Sequence, residues 1–293
     1  MASSEYHIPA MLSECIEALA IKSDGIYADL TFGGGGHSRA ILDNGAGRLY
    51  SFDQDIEAYA NKINNPRWHF VHSNFRYLRN WMDYYGEDGL DGILADLGVS
   101  FHHFDTAERG FSFRFDGPLD MRMNRQSKLT AADIVNTYDE EDLARVLWLY
   151  GELSNSRAIA KSICKARADK AIERTEQLVA AARVDKKDLP KVFQALRIEV
   201  NDELGALRDM LSSAKDVLRP GGRFVILTYH SLEDRMVKNF FRSGNIDGKI
   251  EKDFYGNILS PFRVIEKGRS ATDAEIERNP RSRSAKLRVV EKI

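Results

Sequence analysis

The chain has 293 residues, of which 43% are hydrophobic and 29% are charged, and its formal net charge is −2. This length is enough for one large or two smaller domains with a buried core. The near-neutral charge excludes binding of nucleic acid by overall charge, so any such binding must use local patches. No apolar run approaches the length of a membrane span, and the first residues lack the features of a secretory signal. The two cysteines, Cys15 and Cys164, lack metal-ligand spacing and fit a reducing, cytoplasmic setting.

Strands and helices are predicted to alternate over the first 104 residues. A helix is expected at Pro9–Leu19. Four short apolar runs are typical of buried strands, and they are Gly25–Leu30, Arg48–Asp53, His69–His72 and Gly92–Leu97.

The middle of the chain has a helical pattern with almost no β-branched runs. Thr130 and Asp133 form a capping box, which predicts a helix start. Further helices are expected at Glu140–Tyr150, Arg157–Ala168, Thr175–Arg183 and Val192–Leu211.

Strand and helix patterns return after residue 217. Arg219–Gly222 predicts a turn and Arg223–Thr228 a buried strand, and Ser231 with Asp234 predicts a capping box for a helix through Phe241. Two last strands, Pro261–Lys267 and Ala285–Lys292, are expected to pair antiparallel. The pattern favours a doubly wound α/β domain that is interrupted after its fourth strand by a helical insertion.

A glycine loop between the first strand and a helix carries the main functional signal. Gly33, Gly34, Gly35 and Gly36 follow Asp29 and its strand, and Asp53 ends the next strand about twenty residues later. Glycines let backbone N–H groups approach a ligand, and an acid at this place binds ribose hydroxyls in nucleotide-binding βαβ units. The segment therefore predicts a site for a nucleoside-containing cofactor.

The same loop favours S-adenosylmethionine (SAM) over a dinucleotide or a nucleoside triphosphate. The third glycine of a dinucleotide fingerprint is replaced by Ser38 or Arg39, depending on the first glycine counted. A Walker loop would need a lysine after the last glycine, and His37 stands there instead. SAM carries a cation and no phosphate, so acids beside it are favourable.

Asp96 ends the fourth predicted strand and precedes a glycine turn. Ligands of open α/β sheets bind outside the carboxyl ends of the strands, so Asp29, Asp53 and Asp96 are expected to converge there. Three carboxylates could also hold a metal ion. The cofactor interpretation is favoured over a metal because each acid ends a different strand beside a cationic ligand.

The chain resembles the RsmH family, formerly called MraW, in long motifs that occur in order along essentially its whole length. The motifs are Asp29–His37, Asp96–Ser100, Glu108–Phe113, Asp116–Met123, Phe193–Ile198, Asn201–Leu204, His230–Arg235 and Asn279–Lys286. The resemblance implies a SAM-dependent methyltransferase that acts on N4 of cytidine 1402 in the 16S ribosomal RNA of the small ribosomal subunit. It also implies a Rossmann-like class I methyltransferase domain at 1–104 and 198–293, with a helical RNA-recognition domain inserted at 105–197.

The resemblance also assigns the cofactor site. Gly35, Gly36 and His37 match the cofactor loop, and Asp53 matches the ribose acid. Two further matches are Phe75 and Asp96. Phe75 matches a residue that lines the adenosine site, with an ordinary core aromatic as its alternative, and Asp96 matches the acid beside the acceptor pocket. One departure is His103, which stands where the family usually has a glutamine that contacts the cofactor. Asp96 is the first candidate for orienting the acceptor amine, and His230 after the fifth strand is the second, with a structural turn histidine as its alternative.

Basic and aromatic residues supply two candidate RNA patches. The substrate-binding candidates are Arg109, Phe111, Arg114 and Arg122 in the insertion and Arg281 and Arg283 near the C-terminus. A small-molecule SAM methyltransferase would share the cofactor site without needing these patches, and a non-catalytic ribosome assembly factor would not need the cofactor. The sequence leaves the oligomeric state open, a homodimer included.

Overall fold

The computed structural model describes residues 9–98, 104 and 106–293. These residues separate by their contacts into two units. One unit takes the chain up to Gly98 and from Leu204 to Ile293, and the other takes the span between them. We call them the sheet unit and the helical unit. The boundaries predicted from the sequence, 104/105 and 197/198, lie inside the helical unit near its two ends.

A seven-stranded sheet forms the centre of the sheet unit. Its strands are β1 (Ile26–Asp29), β2 (Arg48–Asp53), β3 (Trp68–His72), β4 (Leu90–Asp96), β5 (Leu218–Thr228), β8 (Phe262–Ser270) and β9 (Lys286–Lys292). They are arranged in the order β3-β2-β1-β4-β5-β9-β8. A separate two-stranded hairpin pairs β6 (Glu251–Lys252) with β7 (Ile258–Leu259). The first five strands are parallel, and β9 runs antiparallel to both β5 and β8. This arrangement confirms the predicted Rossmann-like class I fold and the final antiparallel pair.

Each predicted helical region contains a helix, and the structure adds two that were not predicted, at Leu78–Tyr85 and Asp273–Arg278. In chain order they are α1 (Leu12–Leu19), α2 (Gly36–Asp43), α3 (Leu78–Tyr85), α4 (Ala131–Thr137), α5 (Glu140–Gly151), α6 (Ser156–Asp169), α7 (Thr175–Ala182), α8 (Leu189–Asn201), α9 (Glu203–Val217), α10 (Ser231–Ser243) and α11 (Asp273–Arg278). Among the described residues, none of these helices combines the length and the hydrophobicity needed to cross a bilayer.

The sheet unit buries apolar side chains on both faces of its sheet. Successive residues of a strand point to opposite faces, and the centre of β5 shows this clearly. Phe224 and Ile226 belong to one hydrophobic cluster, while Val225 and Leu227 belong to the cluster on the other side. A strand that is buried on both faces reads as a continuous apolar run, as parallel strands between helices do.

The helical unit has a hydrophobic core of its own. Leu143, Val146 and Leu147 form an apolar stripe on α5 and are fully buried in this core. The predicted capping box starts α4, because the Thr130 side chain accepts from the Asp133 amide and the Asp133 carboxylate accepts from the Thr130 amide.

The structure differs from the sequence prediction in two segments. The helix expected at Val192–Leu211 is two helices, because Asp202 takes a left-handed conformation with φ of 46° between α8 and α9. The predicted turn at Arg219–Gly222 lies inside β5 as a bulge. The register shows it, since Leu90 pairs with Leu218 whereas Gly92 pairs with Arg223.

Candidate cofactor and methyl-transfer site

Three acids meet at one edge of the sheet, as the sequence predicts. Asp29, Asp53 and Asp96 are the last residues of β1, β2 and β4, which are neighbours in the order β2-β1-β4. All three strands are parallel, so their carboxyl ends lie on the same side of the sheet unit. This is the edge at which open α/β sheets bind ligands.

The glycine loop runs from the end of β1 to the start of α2. It lies beside the sheet edge that carries the three acids, which we call the acid edge. Gly33 and Gly35 have positive φ angles of 49° and 74°, which favour glycine. A Cβ at Gly35 would lie 2.9 Å from the Phe32 ring and 2.8 Å from the Arg39 guanidinium. The loop is therefore fixed both by its backbone conformation and by the space around it.

Two side chains that the sequence analysis missed hold the carbonyl groups of the loop. The Arg39 guanidinium donates to the Gly34 carbonyl at 2.7 Å, and the Asn61 amide donates to the Gly33 carbonyl at 3.0 Å. Arg39 also donates to the Asn61 carbonyl at 2.8 Å, so the two supports are joined. These bonds hold the backbone of the loop in one conformation beside the carboxyl ends of the strands.

Asp53 is suited to bind a pair of hydroxyl groups. Its Oδ2 accepts from the Gly33 amide at 2.9 Å and its Oδ1 accepts from the Asp55 amide at 2.8 Å. An ionised carboxylate has about four acceptor positions, so about two stay available for a ribose diol. Burial raises the pKa of Asp53 to about 6, and the bonds from Asp55 and Gly33 oppose that rise.

Asp29 supports the loop from inside the fold. Its carboxylate is fully buried and accepts from the Ser38 hydroxyl at 2.6 Å and from the Thr31 amide at 3.1 Å. Ser38 also lies 2.7 Å from the Ser51 hydroxyl, which accepts from the Trp68 indole at 2.9 Å. Burial raises the pKa of Asp29, while the His37 and Ser38 side chains oppose the rise. The chain of bonds ties β1, α2, β2 and β3 together beneath the glycine loop.

Asp96 is held by a tyrosine that the sequence analysis did not single out. The Tyr229 hydroxyl donates to Asp96 Oδ1 at 2.7 Å, while Oδ2 lies 4.0 Å from His37 Nδ1. Burial first, and then the negative charge of Asp96, raise the pKa of Tyr229 well above its usual value, so the hydroxyl keeps its proton and donates. His37 is oriented by its other nitrogen, Nε2, which lies 3.2 Å from the Ala10 carbonyl.

Gly98 leaves room for the hydrogen-bonded pair of Tyr229 and Asp96. A Cβ on Gly98 would lie 2.9 Å from the Tyr229 ring and 3.4 Å from Asp96 Oδ1. The glycine after the fourth strand thus has a steric role, which the sequence pattern of acid, leucine and glycine does not reveal.

His230 follows Tyr229 and is the N-cap residue of α10. The predicted capping box at Ser231 and Asp234 is wrong, because Glu233 accepts from the Tyr229 and His230 amides at 2.9 and 3.3 Å. Both ring nitrogens of His230 are buried, and Nε2 lies 3.0 Å from Glu233 Oε1. This placement does not test whether His230 acts near the acceptor, so that role stays a prediction.

Of the two remaining predicted cofactor residues, Phe75 is described by the structure and His103 is not. Phe75 starts a short 3₁₀ helix, Phe75–Tyr77, that follows β3, and it packs partly buried against the core of the sheet unit. The Asn74 side chain caps this turn by accepting from the Arg76 amide at 3.0 Å. His103 lies outside the described residues, so its predicted contact stays a prediction.

The candidate RNA residues of the helical unit fall into two groups. Arg109 and Phe111 are only 2% and 3% exposed, and Arg109 donates to the carbonyls of Arg122 and Met123 at 3.0 and 3.2 Å. Burial of this kind argues against direct contact of either side chain with a phosphate or a base. Arg122 binds Asp120 through two nitrogens, whereas Arg114 is exposed.

Arg281 and Arg283 lie in a short 3₁₀ helix, Pro280–Ser284, that leads into β9. Both are exposed. The first residue of β9, Lys286, pairs with Thr228 at the carboxyl end of β5. The basic segment therefore enters the sheet at the edge that carries Asp96.

The profile of the MraW methylase family matches residues 4–293. The chain belongs to the MraW methylase family. Proteins named ribosomal RNA small subunit methyltransferase H are its relatives in Parabacteroides distasonis (59% identical, covering 98% of both chains), Phocaeicola vulgatus (56%, 99% of both) and Porphyromonas gingivalis (55%, 99% of this chain and 98% of the relative). A solved rRNA methylase from Streptococcus thermophilus aligns with 96% of the chain and 93% of its own length, at 11% identity and a TM-score of 0.41.

Membership makes this MraW methylase a methyltransferase whose methyl donor is SAM, which confirms the predicted family and cofactor. The donor set fits that group. A glycine loop lets a ligand approach the backbone closely, Asp53 has acceptor positions left for a ribose diol, and the acids at the strand ends favour a cationic ligand. The third carboxylate, Asp96, ends the strand next to that of Asp29.

Proposed function

We propose that this protein transfers a methyl group from SAM to N4 of a cytidine in 16S ribosomal RNA, at the position of the 1402 type in the decoding region. The observation that carries the proposal is the meeting of the glycine loop, Asp53 and Asp96 at one sheet edge in a chain of the MraW methylase family. The names of the relatives support RNA of the small ribosomal subunit as the substrate.

In this proposal the sheet unit binds the cofactor. The glycine loop of Gly33, Gly34, Gly35 and Gly36 and the His37 side chain line the ligand, Asp53 accepts from the ribose hydroxyls, and Phe75 borders the adenine. SAM, when bound, supplies an electrophilic methyl group. The residues of the chain then have to bring a weak nucleophile into line with it.

Asp96 is the residue we assign to the acceptor amine. The lone pair on N4 of cytosine is conjugated into the ring, which makes the amine a poor nucleophile. A carboxylate that accepts from one N–H of the amine orients the nitrogen and stabilises the positive charge that develops as the new C–N bond forms. Tyr229 fixes Oδ1 of Asp96 at 2.7 Å, so Oδ2 is the oxygen that can accept from the amine. The amine proton leaves to this carboxylate or to water.

The RNA contacts are proposed from exposure and charge. Arg114 in the helical unit and Arg281 and Arg283 in the sheet unit are exposed and can reach phosphates. The helical unit is proposed as the RNA-recognition domain. The target cytosine must leave its stack to reach the methyl group. A cytoplasmic location and a homodimer stay predictions.

The test is a deletion of the gene followed by mass spectrometry of nucleosides from small-subunit RNA. Loss of N4-methylated cytidine on deletion, its return with the wild-type protein and its absence with Asp96→Ala are the expected results. Asp88→Ala, which changes an exposed acid at the other end of β4, is the control and should restore the mark. An unchanged level of the modified nucleoside in the deletion strain would reject the proposal.

A further inference from the structure

A row of three cations runs along the exposed side of α6 in the helical unit. Arg157, Lys161 and Lys165 follow each other at a spacing of four residues, and all three are exposed. In an α-helix this spacing places side chains on one face, about 6 Å apart along the axis. The row, which we call the α6 cationic row, therefore spans about 12 Å.

The fold itself does not explain the α6 cationic row. Within the described residues none of its three side chains has a hydrogen bond or an ion pair. Like charges at this spacing destabilise a helix. Arg157 lies in the first turn, where the helix dipole favours an acid. Among the helices of the helical unit, α4, α5 and α7 carry an acid in their first turn, whereas α6 and α8 carry none.

The other exposed residues of α6 have small side chains, apart from one acid. Ala158 and Ala168 are exposed, and Asp169 is the last residue of the helix. Small neighbours let a long, thin partner lie close to the helix. The opposite side, with Ile159 and Ile163, is buried in the core of the helical unit. The row is thus a linear cationic surface without an aromatic residue that could stack on a base.

We propose that the α6 cationic row binds the phosphate backbone of an RNA strand. The inference rests on the proposed function, which supplies RNA as the partner. A line of cations over about 12 Å matches a linear polyanion better than a single phosphate group. Such contacts position the RNA and carry no base preference. In a chain with a net charge of −2, a local row of this kind is what electrostatic binding requires.

The test is the salt dependence of RNA affinity for the full-length triple variant R157Q/K161Q/K165Q. Glutamine keeps the helix propensity of the replaced residues. A single-stranded RNA oligomer is titrated at several salt concentrations. The slope of log affinity against log salt should fall by roughly 0.7 per lost contact, which is about 2 for the whole row. The unfolding temperature should stay constant or rise, because like charges are removed.

A matched control removes the same charge elsewhere in the helical unit. The triple variant K186Q/K187Q/K191Q changes three exposed lysines, of which Lys187 and Lys191 lie beside Asp185 and Asp188. Its slope should stay close to that of the wild type. Equal slopes for both triple variants, or a wild-type affinity that does not depend on salt, would overturn the proposal.

Two further measurements separate the remaining explanations. Wild-type affinity of the row variant for the oligomer, combined with weaker binding to purified small subunits, would assign the row to an acidic protein and overturn the RNA proposal. Methyl transfer from labelled SAM is measured in parallel. A wild-type protein that binds RNA through the row but transfers no methyl group would reject the proposed function and leave this inference standing.

Discussion

Asp53 should make cofactor affinity depend on pH between pH 5 and 7. Burial raises the pKa of this carboxyl to about 6, and only the ionised form offers all its acceptor positions to a ribose diol. With this pKa, roughly nine-tenths of the carboxyl is ionised at pH 7 and roughly one-tenth at pH 5. Affinity for S-adenosylhomocysteine, the reaction product, should therefore fall about tenfold as the pH is lowered across this window.

Isothermal titration calorimetry on three proteins checks this expectation. Asp53→Ala should weaken binding at pH 7 by on the order of 10- to 100-fold, because charge-assisted hydrogen bonds are lost. The variant should also lose the pH dependence of affinity. Asp88→Ala removes an exposed acid from the same unit and should behave like the wild type. A wild-type affinity that is flat from pH 5 to 7, or wild-type binding by Asp53→Ala, would refute the assignment of the ribose acid.

Three further predictions concern the acceptor edge and the helical unit. Tyr229→Phe removes the 2.7 Å bond to Asp96 and should lower kcat about tenfold with little change in unfolding temperature; an unchanged kcat would contradict this. Gly98→Ala places a Cβ 2.9 Å from the Tyr229 ring and should reproduce that kinetic defect, whereas wild-type kinetics would show that the close approach is unimportant. Thr130→Ala removes the side-chain cap that accepts from Asp133 and should cost about 1 kcal/mol in urea unfolding. Its SAM affinity should not change, and a loss would count against a cofactor site built by the sheet unit alone.

The strands and the acid edge could be predicted because their signals are local. Arg48–Asp53 is a strand with the same bounds in the sequence pattern and in the structure, since a continuous apolar run marks a strand buried on both faces. The glycine loop and Asp53 could be recognised from the spacing of a βαβ unit. The convergence of Asp29, Asp53 and Asp96 then follows from parallel strands alone.

The features that could not be predicted depend on contacts between residues that are far apart in the chain. Tyr229 meets Asp96 across 133 positions, and no periodicity reports such a pair. The helix break at Asp202 is fixed by Asn201, whose side chain accepts from the Met123 amide and donates to the Met121 carbonyl. Both of those bonds are tertiary. Arg109 looked like an RNA contact because it is basic, but burial gives it backbone carbonyls as partners.

The proposed reaction is methyl transfer to one cytidine by residues at the carboxyl edge of the sheet. The most direct measurement uses purified protein, SAM with a labelled methyl group and small ribosomal subunits from a strain that lacks the gene, followed by mapping of the labelled nucleotide by mass spectrometry. We expect a single labelled cytidine of the 1402 type, methylated on N4, and no label with Asp96→Ala. Label on another base or another atom, or full activity of Asp96→Ala, would contradict it.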